Sequence, residues 1–230
     1  MNILLKIAAL SALLLSLVAC SSTTVLQATF NTEPIGTPPA AGQPVGTVEI
    51  MNGDGSVRVA ASPDPSSAAG NNWVQISLPS PRTHPVHMLA RFDSFHGAGH
   101  YNLVALVFIR SGTEAVSLDL EPFNSTATQQ RGRLLHLDFT PENNVRLNDV
   151  ETDRFGRFPR DQSFVLAISV DSTVSPARAT ITLLGRGASG SRDVDLPASA
   201  SQFGAVRFWI GFPWSGTVFF DDIIVTRRNP

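Results

Sequence analysis

Hydrophobic and polar positions divide the chain into two unlike parts. Residues 7–19 form an apolar run broken only by Ser11 and Ser16, with Lys6 in front. Beyond the proline-rich stretch 33–44 the pattern changes to short alternating segments set between Gly, Pro, Asn and Asp. Residues 73–78 place Val74, Ile76 and Leu78 against Trp73, Gln75 and Ser77. Residues 115–121 place Val116, Leu118 and Leu120 against Ser117, Asp119 and Glu121. Residues 133–140 put Leu134, His136, Asp138 and Thr140 on one face, and residues 144–150 do the same with Arg146 and Asn148. A period of two predicts strands. Segments 45–50, 56–61, 86–93, 163–170, 178–184, 203–211 and 217–226 read the same way. Residues 101–109 are nearly all apolar and are expected to be buried on both faces, or central in a sheet. Asn52-Gly53-Asp54-Gly55 predicts a hairpin joining 45–50 to 56–61. Segments 124–132 and 189–201, poor in large apolar residues, are expected as loops. No segment past residue 20 sustains a 3.6-residue period. About a dozen short strands therefore predict an all-β sandwich or barrel.

The N-terminal apolar run is shorter than the roughly 20 residues that span a bilayer. With a lysine before it and Ala19 at its end, it has the layout of a secretory signal. Its last four residues, Leu17-Val18-Ala19-Cys20, resemble the lipobox of bacterial lipoproteins. That resemblance implies cleavage before Cys20, lipidation of Cys20 and anchoring in a membrane. Ser21, where an aspartate would favour the inner membrane, implies the outer membrane of a diderm bacterium. The expected layout is a signal over 1–19, a lipidated tether over 20–28 and one sandwich domain over 29–230.

Cys20 is the only cysteine, so a mature domain lipidated there has no disulfide, thiolate metal site or cysteine nucleophile. The only lysine, Lys6, leaves with the signal, which removes Schiff-base chemistry. The chain carries a formal charge of −2 and no basic stripe, which argues against a nucleic-acid partner.

Two segments carry a further resemblance. Thr29-Phe30-Asn31-Thr32-Glu33-Pro34-Ile35-Gly36-Thr37-Pro38-Pro39 resembles the opening strand of concanavalin A-like, laminin G-like jelly rolls. Gly216-Thr217-Val218-Phe219-Phe220-Asp221-Asp222-Ile223 resembles their closing strand. The resemblance implies a jelly-roll β-sandwich of two antiparallel sheets with first and last strands adjacent. It also implies a structural calcium between those strands, for which Glu33, Asp221 and Asp222 are the candidate ligands, since Ca²⁺ takes oxygen donors.

Ligands of such folds lie on the concave sheet face. If the three alternating segments pair, Asp119, Glu121, His136, Asp138, Arg146 and Asn148 line one polar surface. This face is the candidate glycan site, and the alternative is an ordinary solvated sheet face. Paired carboxylates could also serve a polysaccharide-acting glycosidase or lyase through Asp119, Glu121 and Asp138. However, the strand lacks the first glutamate of the Glu-x-Asp-x-x-Glu pattern of retaining glycosidases of this fold. Trp214, at the turn after residue 211, is the candidate sugar platform, whereas Trp209 is expected in the core. His84 and His87 are expected as ordinary loop histidines. The leading expectation is a lipid-anchored envelope protein with a non-catalytic, glycan-binding sandwich. The alternatives are the enzyme and a structural lipoprotein with a protein partner.

Overall fold

The computed structural model describes residues 22–51, 55–65, 70–80, 84–211 and 213–230. Cys20 and the lipobox lie outside the described residues. The domain is a sandwich of two antiparallel sheets, as the alternation predicts. The back sheet runs β13 (Ser191–Leu196), β12 (Ala177–Leu184), β11 (Ser163–Asp171), β6 (His100–Ile109), β15 (Gly216–Arg228), β4 (Asn72–Leu78) and β3 (Val57–Ala61). Strand β1 (Thr23–Ala28) also pairs with β15, over Thr23↔Arg227 to Ala28↔Ile223. The front sheet runs β10 (Arg154–Phe155), β9 (Val145–Leu147), β8 (Leu135–Phe139), β7 (Val116–Pro122), β14 (Phe203–Ile210), β5 (Val86–Arg91) and β2 (Thr47–Met51).

The core is the apolar half of each alternation. Leu118, Leu120, Leu137, Val206 and Phe208 from the front sheet meet Leu103, Ala105, Leu166 and Phe220 from the back. Phe208 and Phe220 touch across the layers, with ring centroids 4.2 Å apart. Strand β6 is central in the back sheet, as its apolar run predicts, but it is not buried on both faces, since Asn102 and Val104 are exposed.

Four expectations need correction. The predicted hairpin does not form. Strand β2 pairs with β5 in the front sheet and β3 with β4 in the back, so the two lie in different sheets; residues 52–54 lie outside the described residues. Residues 23–28, expected as tether, are a strand that buries Val25, Leu26 and Ala28 completely. The segment resembling an opening strand, 29–39, instead forms turns after β1. Segment 189–201 contains β13, an edge strand with little to bury and hence no apolar alternation.

Strand β15 changes neighbours part-way. Its first residues pair with β4 and its later ones with β1 along the same side. A register shift between Asp221 and Ile224 in the pairing with β6 accompanies the change, and Asp222 has φ 47° there. Aspartate tolerates this left-handed conformation better than most residues, so the bulge lies where the Asp221-Asp222 pair stands.

Candidate functional site

Strands β7, β8 and β9 do pair side by side, and their polar faces form one surface on the outside of the front sheet. Asp119 lies opposite His136, and both Ser117 and Arg146 lie opposite Asp138. Strand β14 adds Arg207 opposite Asp119 and Trp209 opposite Ser117, and β5 adds His87 opposite Trp209.

This face is covered. Every residue of β7 is buried, core-facing or not, because residues 123–134 fold back across the outer side. Arg207 holds that strap by donating to the carbonyls of Thr126 (2.8 Å) and Ala127 (3.1 Å). Gln130 Nε2 donates to Asp119 Oδ2 at 3.1 Å, and Ala127 N donates to Glu49 Oε2 at 3.0 Å. Gly204 makes room for the crossing, since a Cβ there would lie 2.4 Å from Phe123 Cβ. The segment expected as a polar loop is therefore a fitted cover with Ser125 and Ala127 buried.

Under the cover the charges are paired. Arg207 donates to both Glu121 oxygens, at 2.6 and 3.0 Å, and both side chains are fully buried. His136 is bracketed by acids: Nδ1 lies 2.5 Å from Asp119 Oδ1, and Nε2 lies 3.0 Å from Asp138 and 3.2 Å from Asp149. Burial disfavours the imidazolium, yet the hydrogen bonds and charges of Asp119 and Asp138 outweigh it and raise His136 to about 9. Both ring nitrogens are then donors. Asp138 also accepts from Ser117 Oγ at 2.6 Å and from Arg146. Burial pushes its pKa up, but His136 foremost, with Ser117 and Arg146, brings it down to about 2. His87 shifts the other way, to about 4, through burial and then the Arg207 charge.

His136, Asp138 and Asp149 bring one nitrogen and two oxygens within 4.8 Å of one another. In this structure both carboxylates of that set face His136 Nε2, at 3.0 and 3.2 Å.

Of the residues predicted for this face, Asp119, Glu121, His136, Asp138 and Arg146 come together. Asn148 does not join them. Strand β9 ends at Leu147, Asn148 turns at φ 49°, and its Oδ1 accepts from the His136 backbone N–H at 3.1 Å. Trp214 packs half-buried against the core next to Gly211. Trp209, expected in the core, stands on the polar face instead. Its Nε1 donates to Asp119 Oδ2 at 3.1 Å, His87 stacks on it at 5.9 Å, and Arg133 lies over its ring at 5.6 Å. Phe208, its neighbour, takes the core side, as period two requires. Arg207 and Trp209 could have been found by carrying that alternation through β14. His87 belongs to β5, not to a loop.

The Asp221-Asp222 pair lies on the back sheet. Asp221 is fully buried, and its Oδ1 has no hydrogen-bond partner among the described residues. Burial, and then the charge of Asp222, push it up to about 7, and burial also raises Asp222. Asn71, with its amide oriented to satisfy its neighbours, accepts from Trp73 Nε1 at 3.1 Å and donates to Asp221 Oδ2 at 3.0 Å. Glu33 is turned elsewhere: its carboxylate accepts from Ala40 N (2.7 Å) and Gln43 Nε2 (3.0 Å).

No protein-family model and no curated protein sequence matches the chain. Solved structures do match in shape. Arcelin-5, a lectin-like defense protein from Phaseolus vulgaris, superposes with a TM-score of 0.55 at 10% identity, over 92% of this chain and 100% of arcelin-5. Lectin II from Ulex europaeus gives 0.53 at 12% identity, covering 90% and 100%. The CBM2 module of the evolved Dit of Lactobacillus casei BL23 phage J-1 gives 0.52 at 15% identity, covering 91% and 97%. The fold is that of the lectin-like jelly rolls. At these identities the likeness concerns the fold alone.

Proposed function

We propose that the chain is a lipid-anchored envelope protein whose sandwich binds carbohydrate, without catalysis, at the rim of the covered front face. One observation carries the reading. Trp209 is held rigidly by Asp119 and His87 at the boundary between the buried ion network and solvent. Beside it, Arg133 and Asp149 pair with each other at 3.0 Å and stay partly solvent-accessible, with side chains 36% and 62% exposed. An aromatic edge next to charged hydrogen-bonding groups suits a sugar, which offers C–H surface and hydroxyls together. The lectin-like shape of the domain supports the same reading.

The ion network supports binding over hydrolysis. A glycosidase needs two carboxylates free to flank a scissile bond. Glu121 is occupied by Arg207, and Asp119 by His136, Trp209 and Gln130. A glycan array probed with the full chain tests the proposal. A reproducible hit is expected, and a blank array would contradict it.

Calcium belongs to the same proposal. Asp221 fits a cation, because a buried carboxylate oxygen without a partner is costly and an adjacent acidic side chain adds donors. Glu33 does not fit, since its oxygens are engaged elsewhere. Asp221 and Asp222 would hold the ion, which would neutralise the bulge where β15 changes neighbours.

A further inference from the structure

We infer that one edge of the sandwich is built to seat against the bilayer, through Phe95 and Val174 with Arg178 and Arg228 beside them. The inference rests on the lipid-anchored reading above and adds which surface faces the membrane.

The start of the ordered domain fixes the place. Thr23 is already in strand β1, paired with Arg227. Two residues, Ser21 and Ser22, separate it from Cys20, three chain steps that span at most about 11 Å even when fully extended. A lipid on Cys20 therefore leaves no slack, and the edge that carries Thr23 lies at the membrane surface.

That edge is assembled from named contacts. Asp93 N donates to Val25 O at 3.2 Å, which ties the β5–β6 connection, residues 92–99, to β1. Gly99 and Ser172 are joined in both directions. Gly99 N donates to Ser172 Oγ at 2.9 Å, and Ser172 N donates to Gly99 O at 3.1 Å. The β11–β12 connection, residues 172–176, thus lies alongside the first loop. Each loop exposes one large apolar side chain, Phe95 at 57% and Val174 at 46%. Beside them Ser22, His100, Asp171, Arg178 and Arg228 line a shallow depression of about 240 Å³. Phe95 has Phe123 as an aromatic neighbour at 6.0 Å, so it projects from a supported base.

The chemistry suits an interface. An aromatic ring and an aliphatic tip enter the headgroup boundary, while arginines stay at phosphate level with their charged ends in water. Anionic lipid attracts nearby cationic side chains.

The experiment uses the full lipidated chain in vesicles of phosphatidylethanolamine and phosphatidylglycerol. Because Cys20 is the only cysteine, lipidation leaves no thiol. Phe95→Cys, Val174→Cys and Arg186→Cys then each give one labelling position. Arg186 is exposed in the β12–β13 turn, at the other end of β12 from Val174. A polarity-sensitive dye at positions 95 and 174 should shift to the blue and be quenched by quencher-bearing lipid, while at 186 it should do neither. Dye at 95 and 174 behaving like dye at 186, on a chain shown by mass to carry its acyl groups, overturns the seating and leaves the anchor standing. Equal quenching at all three positions also overturns it. A mass without acyl groups overturns the anchor itself.

Discussion

Arg207 is the single side chain on which the covered face depends. It neutralises Glu121 in full burial and also holds two strap carbonyls. Removing one partner of a buried ion pair leaves an unpaired charge, at a cost of about 3–5 kcal/mol. Arg207→Ala is expected to lose stability of that order in urea denaturation. Arg207→Met combined with Glu121→Leu should recover most of the loss. It should not recover all, because the Thr126 and Ala127 carbonyls stay without their donor. His136 sets the pH response. Its folded pKa, raised to about 9 from 6.5, contributes stability that is fully present below pH 6.5 and is lost as pH rises through 9. The melting temperature should fall between pH 6.5 and 9, and His136→Gln should flatten that arm. On the acid side two groups oppose each other. His87, lowered to about 4, loses stability as pH falls below 6.5, while Asp221, raised to about 7, gains it. The acid arm should therefore be shallow from pH 6.5 to about 4 and steepen below it, where Asp138, lowered to about 2, loses its own contribution.

At the scale of elements, strand existence was legible and strand partnership was not. Period-two alternation marks which side chains share a face, and β7 and β8 kept their predicted faces residue for residue. Alternation says nothing about which sheet a strand joins, so β2 and β3 were expected as a hairpin and separated instead. The polar face was legible on β7, β8 and β9. Its cover was not, because strap residues 123–134 are held largely through backbone groups that any sequence offers, the Thr126 and Ala127 carbonyls and Ala127 N, with Gln130 reaching Asp119 by its side chain. Trp209 was misplaced because a tryptophan beside a core phenylalanine suggests burial, while its strand position dictates the opposite face. Strand β1 was missed because its six residues, Thr-Thr-Val-Leu-Gln-Ala, alternate poorly. Its role is directly measurable. Full burial of Val25 and Leu26 contributes about 1.5–3 kcal/mol per side chain, and β1 covers the late edge of β15. A domain produced from Thr29 is expected to be aggregated or unfolded, whereas one produced from Ser22 should melt cooperatively. Equal melting of the two would show that β1 is dispensable.

For the whole molecule, the two sheets divide the work. The back sheet carries the chain's entry point, the proposed membrane-seating edge and the Asp221-Asp222 bulge. The front sheet carries the ion network and the Trp209 rim. The calcium proposal has a clean signature. Calcium should raise the melting temperature of the full chain, and chelator should reverse the rise. At pH 8, above the value of about 7 to which burial raises Asp221, Asp221→Asn should abolish that response while melting above the unsubstituted chain in chelator, because it removes a buried charge. The central claim, sugar recognition at the front-face rim, is tested most directly by calorimetric titration of an array-identified glycan. The protein would be compared with its Trp209→Ala and Trp214→Ala variants. The account predicts that Trp209→Ala abolishes measurable binding and that Trp214→Ala, altered at a core-packed turn, retains it. Unchanged affinity in Trp209→Ala, with loss in Trp214→Ala, would contradict the account and move the site to the turn after β14.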